Sequence, residues 1–273
     1  MEFKLIGCKN VELQCDKSIV DNPKGVVVIV HGFAEHYGRY EHFVKKLNDA
    51  GFSVYRFDNR GHGRSGGKEL DLEDYNDYIK DADTVVNCAI KENPNLPVFM
   101  YGHSMGGFIT TIYGIDYPNK LKGQIISGAA TDEPLQMNGF LRGVINFGYK
   151  AFPNMRVKND LSAFLSRDNS VIEAYRKDPL VKSKPTMKFY KQFSIVGIQY
   201  LKANMSKYNY PCLIIHGKED KIILYKSSEN LYNSISSTDK TIKIYDNCWH
   251  ELINEPEKEE VMEDIVSWLK ERV

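Results

Sequence analysis

Charge of neither sign is in excess: Lys and Arg together number 36, and so do Asp and Glu. A chain without a basic surplus lacks the electrostatic footprint that a phosphate backbone calls for, which argues against a nucleic-acid binder. No apolar run approaches the roughly 20 residues of a membrane-spanning helix. The opening MEFKLIGCKN has no long apolar stretch of the secretory type, so a cytoplasmic protein is expected. Cysteine is sparse as well. Cys8, Cys15, Cys88, Cys212 and Cys248 are odd in number, scattered and without CxxC spacing, so reduced thiols are expected, with no disulfide framework and no zinc site. No GxGxxG or Walker pattern follows the first buried strand, which disfavours dinucleotide and P-loop enzymes. Internal repeats and low-complexity segments are missing too. What remains, 273 residues that are 42% hydrophobic and 26% charged, is a globular chain long enough to bury a sizeable core.

Strand and helix signals alternate along it. GVVVIVHG (residues 25–32) is a short β-branched run, as expected of a strand buried on both faces. YEHFVKKLNDAG carries Phe43, Val44 and Leu47 at helical spacing and ends on Gly51. FSVYRFD reads as a strand. The stretch after it places Tyr75, Tyr78, Ile79, Ala82, Val85, Val86 and Ala89 on one helical face, closed by Pro94. PVFMYGH, LKGQIISG, YPCLIIHG and KTIKIYD read as further strands. A helix near residues 225–235 and a closing amphipathic helix with Val261, Ile265, Trp268 and Leu269 inward complete the pattern. The residues around Cys8 to Cys15 suggest an N-terminal hairpin. Such alternation predicts an α/β fold with a parallel sheet and right-handed crossovers. It breaks between about 131 and 207. Roughly 75 residues are too many for a structureless loop, so 131–207 is expected to be an inserted helical cap on a core of 1–130 and 208–273.

The stretch VFMYGHSMGGFITTIYG sets Ser104 between Gly102 and Gly106 where a strand meets a helix. Glycines permit a sharp turn there, and a serine at its apex holds its hydroxyl clear of both elements. A serine hydroxyl needs a base, and the base needs an orienting acid, in the chain order Ser, acid, His for such an elbow. Of seven histidines only His216 and His250 follow Ser104. His216 precedes the best acid, which leaves His250, in the loop NCWHELINEP, as the expected base. Asp220, just past the strand LIIHG, is the preferred acid because Gly217-Lys218-Glu219 supplies a turn before it. Glu219 and Asp246 are the alternatives. Oxyanion donors are expected from the backbone N–H of Met105 and of Phe33, the latter in the loop HGFAEHYGRY. His31 reads as a packing or hydrogen-bonding residue beneath that loop. Cys248, two residues before His250, raises the idea of thiol sensitivity.

Six blocks in order, HGFAEHYGRY, FDNRGHGRSGG, GHSMGG, AYRKDPLV, HGKEDK and WHELINE, resemble the monoacylglycerol lipase and lysophospholipase branch of the α/β-hydrolases from about His31 to Glu255. The resemblance implies an eight-stranded, mostly parallel sheet flanked by helices, with a helical cap inserted after strand six. It implies hydrolysis of an ester of a single fatty acyl chain with Ser104, Asp220 and His250 as triad, Phe33 and Met105 as oxyanion donors, and Asp58 and Arg60 as structural residues. No metal or cofactor is implied. The expected partner is a small-molecule or lipid ester, with at most peripheral membrane contact through the cap. In GFLRGVINFGYKAF, Phe140, Val144 and Phe147 are the candidates for an acyl channel or a lipid-facing surface. A short-chain or cinnamoyl (feruloyl) esterase, or a peptidase, would use the same machinery, and a non-catalytic binding protein on this fold would usually have lost a triad member. A dehalogenase is disfavoured, because its elbow carries a carboxylate.

Overall fold

Eight segments of the chain pair edge to edge in a computed structural model that describes residues 1–133 and 137–273. They are β1 (Glu2–Ile6), β2 (Glu12–Ser18), β3 (Gly25–Val30), β4 (Phe52–Phe57), β5 (Val98–His103), β6 (Gly123–Ser127), β7 (Cys212–Gly217) and β8 (Lys240–Tyr245), in the order β1-β2-β4-β3-β5-β6-β7-β8. Only β2 runs against its neighbours; every pair from β4 to β8 is parallel. The N-terminal hairpin is therefore present, as the edge of the same sheet.

The central strands read as continuous apolar runs because they are covered on both faces. Alternation sorts one strand into two cores. Val26, Val28 and Val30 of β3 face one layer, and Val27 and Ile29 face the other. The second layer holds α1 (Glu41–Asp49), whose Phe43, Val44 and Leu47 are buried as their spacing predicts. The first holds α2 (Asn76–Glu92) and α3 (Met105–Asp116). Four helices follow β6: α4 (Gly139–Ala151), α5 (Asn169–Lys177), α6 (Met187–Tyr190) and α7 (Ile198–Asn204). They lie in the segment expected to be a cap; residues 134–136 of that segment are outside the described residues. Helices α8 (Lys226–Ser234) and α9 (Lys258–Lys270) return to the sheet, and Val261, Ile265, Trp268 and Leu269 of α9 join the second layer.

Among the elements without a counterpart in the sequence reading is the link between α6 and α7. Lys191–Gly197 is a widened, π-type turn joining α6 to α7. Gly197 within it abuts the Phe108 ring of α3 so closely that any Cβ would meet that ring. Among the described residues no helix is long and apolar enough to cross a membrane.

The turn after β4 is held by buried charge. The Asp58 carboxylate accepts from the backbone N–H groups of Tyr37 and Arg64, each at 2.8 Å. Arg60 grips Asp81 of α2 through Nε at 2.6 Å and Nη2 at 2.8 Å, and reaches Asp77 and the Cys8 carbonyl as well. Its guanidinium and the Asp81 carboxylate are both buried, so removing the cation strands an anion away from water. Arg60→Leu is expected to lower stability by about 3–5 kcal/mol, read as a reduced urea midpoint with an unchanged m-value.

Candidate active site

The parallel strands end in step. Val30 of β3 pairs with Gly102 of β5, His103 of β5 with Ser127 of β6, and Ser127 with Ile215 of β7. Loops leaving these ends converge, and Ser104 stands in their midst. Its backbone is at φ 55° and ψ −114°, a conformation that L-residues adopt only when their surroundings impose it. Those surroundings are glycines. A Cβ at Gly106 would overlap the Val30 carbonyl, and one at Gly102 would overlap the Gly106 carbonyl and the Thr110 hydroxyl. The two glycines let α3 start directly against β3 and β5. The Ser104 N–H donates to the Ser127 carbonyl at 2.9 Å, and its own carbonyl accepts from Phe108 and Ala130, each at 3.1 Å. Met105 opens α3, where first-turn N–H groups have no partner within the helix and the dipole is positive.

Past β7, Asp220 is buried and fully engaged. Its Oδ1 accepts from the N–H groups of Ile222 at 2.8 Å and Ile223 at 3.0 Å. Its Oδ2 lies 2.7 Å from His250 Nδ1 and 3.1 Å from His216 Nε2. Burial opposes ionisation of this carboxyl, but the two histidines outweigh it and hold Asp220 well below the usual carboxylate range. Burial likewise disfavours the imidazolium of His250, yet Asp220 outweighs that effect and raises its proton affinity above the ordinary imidazole value. Glu219 is exposed, and Asp246 is exposed and paired with Lys218, so neither competes for His250. The His250 loop is stitched to the end of β7: Glu219 N–H donates to the Cys248 carbonyl at 3.0 Å, and Lys218 N–H to that of Tyr245 at 2.9 Å. Gly217 makes this approach possible, since a Cβ there would overlap the carbonyls of Cys248 and Trp249.

Ser104, His250, Phe33 and Gly32 line one cavity, so the structure brings together the serine, the histidine and the loop expected to supply an oxyanion donor. A strained serine at a strand-to-helix turn, lining one cavity with a histidine held by a strand-end aspartate, is in keeping with a hydrolase elbow. A family model described as serine aminopeptidase, S33, matches residues 21–257. A monoacylglycerol lipase of Mycolicibacterium smegmatis is 36% identical over 98% of this chain and 96% of its own length. The chain belongs to the monoacylglycerol lipase branch of the α/β-hydrolase superfamily. A mouse monoglyceride lipase is 30% identical over 92% of this chain and 84% of its own length. Among solved structures, that of a Paleococcus ferrophilus monoacylglycerol lipase superposes with a TM-score of 0.85 at 29% identity, over 96% of this chain and 99% of that one.

In this lipase- and esterase-type hydrolase the cavity measures about 20 Å³, room for about one water. Its outer wall is Leu161, Leu165 and Tyr175 from the segment between β6 and β7, with Ile222 from the loop after β7. Phe140, Val144 and Phe147 are not on that wall. They are 81%, 44% and 68% exposed, because α4 packs through Ile145 and Gly148 against Met187 and Ile195 and turns its other apolar side outward.

Sequence reasoning missed an ionic cluster whose Glu35 and Glu251 line the cavity. Arg39 Nη1 donates to Glu35 at 2.6 Å, and its Nη1 and Nη2 hold both oxygens of Glu251 at 2.6 and 2.7 Å. Glu35 also accepts from the Gly32 N–H at 2.6 Å and the Tyr40 hydroxyl at 2.8 Å. The Arg39 guanidinium lies 4.8 Å from the centre of the Tyr175 ring. The two carboxyls are tuned apart. Burial, with Glu251 nearby, raises Glu35 in spite of Arg39; for Glu251 burial is outweighed by Arg39, which holds it below the usual carboxylate range. His31 sits beneath the loop as expected, accepting the Asn59 N–H at 2.8 Å, and burial keeps it neutral.

Cys248 is fully buried, and burial together with Glu257 and Glu255 pushes its thiol up to about 12. The thiolate is the reactive species, so the expected thiol sensitivity has no physical basis at this residue. Maleimide at neutral pH is expected to leave Cys248 unlabelled in the native protein, as peptide mass mapping would show, and to label it after denaturation.

Proposed function

We propose that this chain is a serine carboxylester hydrolase that cleaves esters of a single acyl chain, monoacylglycerols or lysophospholipids, through an acyl-enzyme. The observation that carries the reading is the hydrogen bond from His250 Nδ1 to Asp220 at 2.7 Å beside the elbow serine. With Nδ1 protonated and engaged, Nε2 keeps its lone pair for the Ser104 hydroxyl proton. Ser104 Oγ then attacks the ester carbonyl, and the developing oxyanion is received by the N–H groups of Phe33 and Met105. His250 returns its proton to the leaving alcohol, and a water activated by the same imidazole releases the acid. The scheme uses no metal or cofactor.

The relatives support the substrate class, since those compared are described as lipases that act on monoacylglycerols. On this reading residues 131–207 are a cap over the serine, and Phe140 and Phe147 are its contact with an aggregated lipid surface. Five cysteines, none of them in a disulfide, fit action in the cytoplasm. A second reading, an esterase for short or cinnamoyl-type acyl groups, would use the same histidine and aspartate.

Ser104→Ala is expected to lower turnover by at least about 10⁴-fold. Assays on short, medium and long monoacylglycerols, a lysophospholipid and a feruloyl ester separate the readings: preference for the longer glycerol esters supports the first, and turnover confined to the small or aromatic esters supports the second. A folded protein whose Ser104 ignores a fluorophosphonate would overturn both. The pH dependence has a definite sign. The base must be unprotonated, and its proton affinity is raised, so kcat/KM is expected to fall as pH drops, with a midpoint above the ordinary imidazole value of 6.5.

A further inference from the structure

His216, excluded as the base by its place in the chain, is fully buried on the far side of the acid. Its Nε2 lies 3.1 Å from Asp220 Oδ2 and 3.0 Å from the Ile223 carbonyl. An ionised carboxylate and a carbonyl can only accept, so Nε2 carries the proton. When Nε2 carries the ring's one proton, Nδ1 is an acceptor, and its neighbour is the Ser228 hydroxyl of α8 at 2.7 Å, also buried. A directed chain results: Ser228 O–H to His216 Nδ1, His216 Nε2–H to Asp220 Oδ2, and onto the same oxygen His250 Nδ1–H. Asp220 Oδ1 is occupied by two backbone N–H groups, so the carboxylate cannot turn to offer His250 its other oxygen without abandoning them.

We propose that His216 is a positioning residue for the reaction, a second donor that shares Asp220 Oδ2 with His250 and so sets the orientation and charge this oxygen presents to the base. The inference rests on the assignment of Asp220 and His250 given above. An oxygen that divides its charge between two donors binds each less strongly than it would bind one alone. His216 thus restrains the basicity of His250 while fixing the plane in which its ring lies. The other groups facing His250 are Glu251 beside it, Glu35 and Arg39 behind it, Tyr175 across the cavity and the His103 ring, whose centre is 4.7 Å away. Burial and His250 keep His103 neutral down to about 3. None of these is altered in the variants below.

The test compares wild type with His216→Phe, which loses both nitrogens, and His216→Gln, whose amide keeps a donor, on p-nitrophenyl butyrate from pH 5 to 9. His216→Phe is expected to lower kcat about tenfold with KM nearly unchanged, the scale on which partners that orient functional histidines act. Its acid limb is expected to move to higher pH, and His216→Gln to bring the limb back. Should His216→Phe not fold, Ser228→Ala, which frees the His216 tautomer, is expected to move the limb in the same direction by less. A wild-type limb and kcat in His216→Phe, or in Ser228→Ala when it must stand in, would overturn the inference, as would a limb shifted equally in the Phe and Gln variants. A Ser104→Ala control separates the two levels. Turnover that survives it sinks the hydrolase reading and this inference together; turnover that requires Ser104 but shows an unmoved limb sinks this inference alone.

Discussion

Arg39 holds two carboxylates that arrive on loops from opposite ends of the chain's core, and the walls of the cavity are positioned relative to that ion cluster. Glu35 comes from the loop after β3 and fixes the Gly32 N–H, and with it the backbone leading to Phe33. Glu251 follows His250 directly, and its N–H donates to the Leu165 carbonyl, in the segment between β6 and β7, at 2.8 Å. Tyr175 of α5 closes over the guanidinium. Two carboxylates this deeply buried depend on the one guanidinium they share, because removing it leaves them without a counter-charge. The planar fork of arginine suits two carboxylates at once, which a lysine ammonium would not.

Backbone strain is built into the wall that carries Ser104. Ser104 is held at positive φ by a strand behind it, a helix in front of it and two glycines that allow both to come close. Such a conformation persists only where rigid elements over-determine it. The parallel sheet provides that rigidity, since β5 is paired on both edges and covered by helices on both faces.

Much of the fold was legible because its signals are local. β-Branched runs marked the central strands, helical spacing marked the inward faces of α1, α2 and α9, and the Gly-Ser-Gly turn marked the elbow. Chain order alone separated His250 from His216, and a turn signal favoured Asp220 over Glu219 and Asp246. Other features carry no local signal. Arg39 and Glu251 are 212 positions apart, and nothing periodic links them. The cavity wall at Leu161, Leu165 and Ile222 comes from irregular segments, where side-chain direction follows no repeat. Helix α4 is apolar on more than one side, so its sequence could not say which side would be buried; small Gly148 settled the matter by admitting Met187. The contact of His216 with Asp220 depends on how the loop after β7 folds back, which four-residue spacing does not specify.

The smallness of the cavity bears on how any affinity for this protein is to be read. On the proposed reading, a site with room for about one water would admit an ester only in molecules whose outer wall moves aside. Apparent binding is then weaker than intrinsic binding by the fraction of molecules in the open form. A Michaelis constant would then report an opening equilibrium multiplied by a fit. A change that alters only the opening equilibrium would scale the apparent affinity for every substrate by one factor and leave the preference among them unchanged, while discrimination stays with the residues that touch them.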